Sequence, residues 1–379
     1  MKSIYLDYNA TTPIDPDVEA AMLPYLKGGL DGRFGNPSSS HQYGREAHSA
    51  IVTARQQTAE LLGCMPGEII FTGCGSEADN LEIKGVAEAY RDKGNHIITS
   101  QIEHPAVLNT CRYLERHGCE VTYLPVDEYG LVDPASVEAA ITARTILISI
   151  MHANNEVGTV EPIAAIGAIA NSKGVIFHTD AAQSVGKIPA KVDELGVDLL
   201  TIAGHKLYAP KGVGALYVRA GTKLEPVVHG AGHEGGRRAG TENVSHIVAL
   251  GKACEIAGNT MTEYVPRLRE LRDRLHQHLA AGVEGLKLNG HPMDRLPNTL
   301  NVSFPGMDGE ALLARTPQVA ASTGSACHAG RTDPSAVLLA MGLRREMALG
   351  AVRFSLGKFT SPVDIDRAAA LVLGRTIVT

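Results

Sequence analysis

Short apolar runs rich in β-branched residues alternate with helical patterns through the first part of the chain. Seven such runs lie between residues 67 and 220, at 68–72, 96–100, 121–124, 145–150, 175–179, 199–202 and 214–218. Their apolar character is mostly continuous rather than alternating, which predicts strands that are buried on both faces. We therefore expect an α/β fold with a mostly parallel central sheet and helices on both faces. The last two runs are too close for a crossover helix, so they predict an antiparallel return at that edge.

The pattern changes after residue 221. A glycine-rich stretch leads into an apolar helix near 244–257, and a second helix follows with an apolar stripe between residues 265 and 279. The last helix has a clear start signal, with Ser361 as the cap and Asp364 three residues later. This change places a domain boundary near residues 255–262.

Composition fits a globular chain of two or three domains. The 379 residues are 44% hydrophobic and 20% charged, which excludes a disordered or fibrous protein. Lys and Arg number 35 against 41 Asp and Glu, for a net charge of -6. Because no basic cluster is interleaved with aromatic residues, we expect no direct nucleic-acid binding.

We expect the protein to be cytoplasmic and not membrane-bound. No apolar run reaches the roughly 18 residues that a membrane span needs, and Asp7 follows the first residues too soon for a signal peptide. The cysteines lie at positions 64, 74, 111, 119, 254 and 327, without a CxxC pair. This spacing favours neither a metal site nor a disulfide framework, so we expect mostly buried, inert thiols and no metal.

Polar and ionisable residues follow five of the predicted strands. They occupy residues 73–76, 103–104, 152–156, 180–183 and 204–206. Ligands of parallel sheets bind outside the carboxyl ends of the strands, so we expect these segments to meet in one crevice.

Three of these features suit a single cofactor. Ser76 and Asp79 can be read as a capping box, but the same helix start can also bind a phosphate. Lys206, at a strand end, can form a Schiff base, and Asp180 can hold a pyridinium nitrogen in its protonated form. A lysine, a carboxylate and a phosphate cradle are what pyridoxal phosphate requires.

Ten segments of the chain, in order, resemble the cysteine desulfurases of the NifS/IscS type. This family belongs to the class V aminotransferases, which are fold-type I pyridoxal phosphate-dependent transferases. The segments are residues 5–12, 35–39, 71–73, 77–80, 103–104, 154–158, 178–183, 204–206, 240–243 and 324–327. The resemblance implies a large cofactor domain of residues 15–257 and a smaller α+β domain of residues 1–14 and 258–379.

The resemblance also implies roles for individual residues. Lys206 would carry the cofactor and exchange protons at the substrate, His104 would stack on the cofactor ring and assist proton transfer, and Asp180 would pair with the ring nitrogen. The remaining cofactor-binding residues would be Gly75, Ser76, Asn155, Gln183, His205 and, from the second subunit of a homodimer, Thr241. The substrate-binding residues would be Asn36, Asn155 and Arg353. Two positions depart from the family, since Ala203 replaces a frequent serine and Ala209 a frequent glycine.

Cys327 is the predicted sulfur acceptor among the six cysteines. It lies in a loop of small residues at about 322–332, whereas Cys74 is held between two glycines at a helix start. A thiol on a mobile loop can both collect and deliver sulfur. We therefore expect the other five cysteines to be structural thiols.

The predicted function is conversion of L-cysteine to L-alanine, with a persulfide formed on Cys327. The sulfur would pass to an acceptor protein in iron-sulfur cluster assembly or another thiolation pathway. His328 resembles the selenocysteine lyases, so selenocysteine lyase activity is an alternative. An inactive sulfur carrier or scaffold protein on the same fold is a third reading.

Overall fold

The computed structural model describes residues 3–323, 327–328 and 331–375. The strands are β1 (Ile4–Tyr5), β2 (Ile69–Thr72), β3 (His96–Ser100), β4 (Glu120–Leu124), β5 (Thr145–Ser149), β6 (Ile176–Asp180), β7 (Leu199–Ala203), β8 (Gly214–Val218), β9 (Lys287–Asn289), β10 (Thr299–Ser303), β11 (Val319–Ala320), β12 (Cys327–His328), β13 (Arg331–Thr332) and β14 (Ala351–Ser355). The helices are α1 (Pro16–Met22), α2 (Gln42–Leu62), α3 (Gly75–Ala89), α4 (Pro105–Glu115), α5 (Pro134–Ala140), α6 (Ile163–Lys173), α7 (Val192–Leu195), α8 (Val244–Gly282), α9 (Gly309–Arg315), α10 (Ala336–Ala340), α11 (Arg345–Leu349) and α12 (Pro362–Val372).

A seven-stranded sheet forms the centre of the molecule, in the order β2-β8-β7-β6-β5-β3-β4. The pairs from β7 to β4 are parallel. Strand β8 runs antiparallel to both β7 and β2, so the predicted antiparallel return is confirmed. The edge strand is β2 rather than β8, because β2 pairs with the side of β8 that faces away from β7.

Both faces of this sheet are covered. Consecutive residues of a strand point to opposite faces, and Ile97 and Ile98 of β3 belong to two different apolar clusters. The same holds for Leu199 and Leu200 of β7. One cluster includes buried residues of α2, α6 and α8, and the other includes those of α3 and α4. Continuous apolar runs in the sequence therefore reflect strands buried on both sides, and the predicted fold class is confirmed.

A separate apolar cluster lies around a smaller antiparallel sheet, in the order β14-β10-β9. Strand β1 pairs in parallel with β11, and Ile4 and Leu6 belong to the same cluster as Val302 and Phe354. Helix α12 covers this cluster and begins at the predicted capping box of Ser361 and Asp364. The limits proposed for the two domains stay predictions.

The prediction of two helices between residues 244 and 279 is wrong. Residues Val244–Gly282 form one continuous helix, with Pro266 inside it. Its first half contributes Leu250 to the cluster under the large sheet, and its second half contributes Leu275 to the cluster of the smaller sheet. Burial against two separate cores stabilises the helix across a proline that would weaken it in isolation. Within the described part of the chain, no helix is both long and apolar enough to cross a membrane.

Candidate active site

A cavity of about 260 Å³ opens at the carboxyl ends of the parallel strands. Each of the five predicted polar segments contributes at least one lining residue. The segment after β3 contributes only His104. The predicted site residues that line the cavity are Gly75, Ser76, His104, Asn155, Asp180, Gln183, His205, Lys206 and Arg353. The fold thus brings together side chains that are up to 344 positions apart, as between Asn9 and Arg353.

Lys206 ends a short helical turn, Gly204–Lys206, that directly follows β7. Its amine donates hydrogen bonds to the backbone oxygens of Asn9 and Ala10, the latter at 2.7 Å. Burial and then the charge of Arg353 lower the pKa of this amine to about 8, against the opposing effects of Asp7 and Asp180. A lowered pKa makes the neutral amine accessible near neutral pH, which is the form that attacks a carbonyl group.

Asp180 is the last residue of β6 and is almost fully buried. Its Oδ1 atom accepts a hydrogen bond from the backbone N–H of Ala182 at 2.9 Å. The side chain lines the cavity, where it can face a positively charged or N–H-bearing group of a ligand.

A buried polar network lies around Asp180 and was missed at the sequence level. His178 Nδ1 is 2.9 Å from Glu82 Oε1, and both side chains are fully buried. Burial, followed by the charge of Asp180, raises the pKa values of Asp79 and Glu82 well above their usual range. Burial lowers the pKa of His178 to about 3. Burial therefore disfavours the charged forms of all three groups.

The start of α3 forms one wall of the cavity. The predicted capping box of Ser76 and Asp79 is wrong, because the helix begins at Gly75 and its first residue has no side-chain cap. Instead, the Glu77 carboxylate accepts the backbone N–H of Gly73 at 2.8 Å. The uncapped N–H groups at this helix start, next to the Ser76 hydroxyl, can bind a phosphate.

Gly75 allows the helix start to approach β7 closely. A Cβ atom at this position would lie 3.1 Å from the Cβ of Ala203. The absence of the family's serine at position 203 therefore leaves a methyl group against the helix start. At the other departure from the family, the positive φ of 64° belongs to Tyr208, so the turn does not need a glycine at position 209.

Two histidines beside Lys206 are held neutral. His104 caps α4, and its Nδ1 accepts the backbone N–H of Ala106 at 3.2 Å. Burial lowers the pKa of His104, and it lowers that of His205 to about 4, with a further contribution from the charge of Lys206. His205 Nδ1 lies 3.2 Å from the Thr11 hydroxyl. Neutral imidazoles can accept a proton or stack on a ring without adding positive charge.

Arg353 projects from β14 of the smaller sheet into the same cavity. Its Nη1 donates to the backbone oxygen of Asn155 at 2.9 Å, and its Nη2 pairs with Asp7 at 2.8 Å. Its Nε is buried and has no hydrogen-bond partner among the described residues. The guanidinium is thus fixed on two sides and retains donor capacity for an anionic ligand.

Two predicted site residues are not brought to the cavity in this single chain. Asn36 and Thr241 are exposed and do not line it. The side chain of Cys327 lies outside the described part of the structure. For its backbone, β12 pairs antiparallel with β13, with Cys327 opposite Thr332.

Asn9 is a central site residue for which the sequence analysis predicted no role. Its backbone oxygen accepts hydrogen bonds from both Lys206 and Gln183, the latter at 3.0 Å. Its side-chain amide donates to the Thr299 hydroxyl at 2.8 Å, which ties the N-terminal segment to β10. Asn9 lay within the residues that carried the family resemblance, and this was the available signal.

The expectation of five buried cysteines is only partly met. Cys111 and Cys254 are buried, Cys64 and Cys119 are half-buried, and Cys74 is exposed and lines the cavity. Burial raises the pKa of Cys64 and of Cys254 to about 12 and also raises those of Cys111 and Cys119. A thiol with a raised pKa is a poor nucleophile at pH 7, so these four are chemically quiet. Among the described residues, no group of three or more side chains could hold a metal ion.

The donor set of the cavity fits pyridoxal phosphate. An amine with a lowered pKa, a buried carboxylate and an uncapped helix start lie around one space. The close approach of Gly75 to Ala203 keeps that helix start free of a side chain. The positive charges of Lys206 and Arg353 suit a cofactor and substrate that both carry negative groups.

Comparison with known proteins places the chain in a family. The class V aminotransferase family model matches residues 4–368. The cysteine desulfurase IscS of Dictyoglomus turgidum is 50% identical over 96% of this chain and 92% of its own length. A solved NifS-like protein superposes with a TM-score of 0.91 at 37% identity, covering 98% of each chain. A structure described as SspA in complex with cysteine superposes with a TM-score of 0.82 at 40% identity, covering 93% of this chain and 99% of the other. The chain therefore belongs to the class V aminotransferases and, within them, to the pyridoxal phosphate-dependent cysteine desulfurases of the IscS/NifS type.

Proposed function

We propose that this cysteine desulfurase converts L-cysteine to L-alanine and leaves the sulfur as a persulfide on Cys327. The observation that carries the proposal is the meeting of Lys206, Asp180 and the start of α3 at one cavity. The neighbouring structure with bound cysteine supports cysteine as the substrate. When bound, pyridoxal phosphate supplies an electron sink that makes bonds at the substrate α- and β-carbons labile.

Different residues of the cavity would hold different parts of the cofactor. Lys206 would hold the cofactor through its amine and would move protons at the substrate. Asp180 would pair with the ring nitrogen, and His104 would stack on the ring. The phosphate would be held by the N–H of Gly75, the Ser76 hydroxyl, His205 and the partner subunit's Thr241. Asn155 and Gln183 would contact the phenolic oxygen. The exposed position of Thr241 in one chain is compatible with a role across a homodimer.

Two residues hold the substrate carboxylate. Arg353 is pinned by Asp7 and Asn155, which limits its motion before a ligand arrives. A preorganised guanidinium loses little entropy on binding. Asn36, exposed in the single chain, would supply the second contact from an amide donor.

Sulfur transfer requires a thiolate that reaches the substrate. The Cys327 thiolate attacks the substrate sulfur, so a sulfur–sulfur bond forms as the carbon–sulfur bond breaks. The electron pair of the broken bond stays with the carbon, which takes up a proton to give alanine. The persulfide then passes to a thiol of an acceptor protein in iron-sulfur cluster assembly or another thiolation pathway. We place these steps in the cytoplasm.

Two variants test the proposal. Lys206→Ala should lack the visible absorbance of lysine-bound cofactor, because no other described lysine lines the cavity. Cys327→Ser should keep that absorbance and still bind cysteine, but release almost no sulfide in the presence of a reducing thiol. Cys64→Ser, a half-buried cysteine away from the cavity, is the matched control and should turn over like wild type. Wild-type turnover by Cys327→Ser would overturn the persulfide step.

The same assay separates the alternatives. Cys74 lines the cavity, so loss of turnover in Cys74→Ser but not in Cys327→Ser would move the acceptor role to Cys74. Selenocysteine assayed beside cysteine tests the lyase alternative that His328 suggests, since selenium leaves with less need of the thiol. A purified protein that stays colourless with added cofactor would instead favour an inactive carrier.

A further inference from the structure

A buried lysine lies behind the cavity wall without a carboxylate partner among the described residues. Lys187 is only 3% exposed and does not line the cavity. Its Nζ donates a hydrogen bond to Oε1 of Gln183 at 3.1 Å. No Asp or Glu of the described chain lies within ion-pair distance of it. Burying a cation against a single neutral acceptor is costly. The hydrogen bond to Gln183 is therefore the main polar contact of this amine.

The contacts of Gln183 fix which end of its amide faces each neighbour. A protonated lysine can only donate, so it selects the Oε1 end of the amide. The backbone oxygen of Asn9 can only accept, and it takes the Nε2 end at 3.0 Å. Both neighbours therefore demand the same orientation, in which the NH₂ group is directed toward the Asn9 side. Asn9 O also accepts from Lys206, so this side is where Lys206 lies.

The charge of Lys187 also strengthens the donor. Burial, together with the smaller effects of the charges of Lys206 and Arg353, lowers its pKa to about 7. In the protonated form, its bond to Oε1 is charge-assisted and polarises the amide, which makes the Nε2 hydrogens better donors. The three cations Lys187, Lys206 and Arg353 share one region, which an anionic ligand would stabilise.

We propose that Lys187 is a positioning residue that locks the Gln183 amide with its NH₂ group toward the phenolic oxygen of pyridoxal phosphate. This inference rests on the proposed function, because it assigns Gln183 to that oxygen. Lys187 does not touch the cofactor and acts through Gln183 alone.

The test uses the pH midpoint of the visible absorbance of the cofactor-loaded enzyme. In Lys187→Met only the Asn9 contact still orients the Gln183 amide, and the charge that polarises the amide is gone, so its NH₂ group should donate less strongly to the phenolic oxygen. The phenolate then holds the proton on the cofactor-linked Lys206 nitrogen more tightly, so the midpoint should rise by about one pH unit, a tenfold change in the proton equilibrium. Lys191→Met removes an exposed lysine four residues later, whose Nζ bonds the backbone of Glu60, and should leave the midpoint unchanged.

A double-mutant cycle shows whether the effect runs through Gln183. In a Gln183→Ala background, Lys187→Met should shift the midpoint by less than a third of its effect in wild type. An equal shift in both backgrounds, or none in wild type, would overturn the inference. If Lys187→Met does not fold, Gln183→Glu tests the same orientation, because it replaces the NH₂ group by an acceptor and should raise the midpoint. A wild-type enzyme without visible absorbance would contradict the proposed function instead.

Discussion

At the scale of single residues, the site is defined by buried charges whose neighbours fix both position and protonation. Arg353 illustrates position, since Asp7 and the backbone of Asn155 each engage one of its terminal nitrogens. Lys206 illustrates protonation, since burial and the charge of Arg353 lower its pKa. Each makes a prediction of its own.

Arg353→Lys should reduce kcat/KM for cysteine by roughly 10- to 100-fold. A lysine carries the charge but cannot keep two fixed contacts and still donate to a substrate carboxylate, and a hydrogen bond to a charged group contributes about 1.5–3 kcal/mol. Steady-state kinetics should show the loss mainly in KM. Arg344→Ala, an exposed arginine outside the cavity, is the control. An unchanged KM would argue against a carboxylate contact.

The rate at which apoenzyme takes up pyridoxal phosphate should rise with pH through about 8 and level off above it. Lys206 has a lowered pKa, so its charged form is disfavoured and the neutral, reactive amine gains population as the pH passes about 8. Stopped-flow absorbance at several pH values measures this midpoint. A midpoint near the ordinary lysine value of about 10.4 would show that the amine is not perturbed.

At the scale of elements, the polar groups of the site lie where a strand ends and a helix or turn begins. The start of α3, the cap of α4 and the turn after β7 all deliver side chains or N–H groups to the same cavity. The end of β6 adds Asp180. These strand ends are held in place by a sheet buried on both faces. A change in the distance between two of them should therefore lower the affinity for the cofactor.

Gly75→Val should weaken cofactor binding by about tenfold or more. The new Cβ would lie 3.1 Å from the Cβ of Ala203, and two further methyl groups would enlarge the overlap, which costs about 1–3 kcal/mol. Absorbance titration of the apoenzyme with pyridoxal phosphate measures the affinity. Gly67→Val is the control, because a Cβ there meets no atom within 4 Å. Equal affinities in the two variants would mean that the helix start is not close to the cofactor.

At the scale of the whole molecule, helix α8 connects one apolar cluster of the large sheet with the apolar cluster of the smaller sheet. Leu250 packs in the cluster under the large sheet, and Leu275 packs in that of the smaller sheet. Arg353 and Asn9 also bind residues from both parts of the chain around the cavity. A substitution that destabilises the apolar cluster of the smaller sheet should therefore also weaken cofactor binding.

Leu275→Ala should lower stability by about 2–5 kcal/mol, because Leu275 is fully buried and its truncation leaves a cavity. During urea unfolding, loss of helical circular dichroism and loss of cofactor absorbance should move together to lower urea concentrations. Leu339→Ala, at a side chain that is 43% exposed, is the control with little change. Separation of the two signals would show that the clusters unfold independently.

The sequence by itself determined the strands, the polar segments that follow them and the family, because these depend on local patterns. Runs such as His96–Ser100 and Gly214–Val218 were predicted to the residue, and the capping box of Ser361 follows from local hydrogen bonding alone. The resemblance named Lys206, Asp180 and most residues of the cavity before any coordinates.

Only the tertiary structure decided what depends on burial and on contacts between distant segments. Local signals suggested a break in α8, yet packing against two cores makes it continuous. Asp79 looked like part of a helix cap, but it is buried beside Asp180. Lys187 and Asn9 had no local signal for a role, because their partners Gln183 and Lys206 meet them only in the folded chain. Protonation states likewise follow from desolvation, which is a property of the fold and not of residue order.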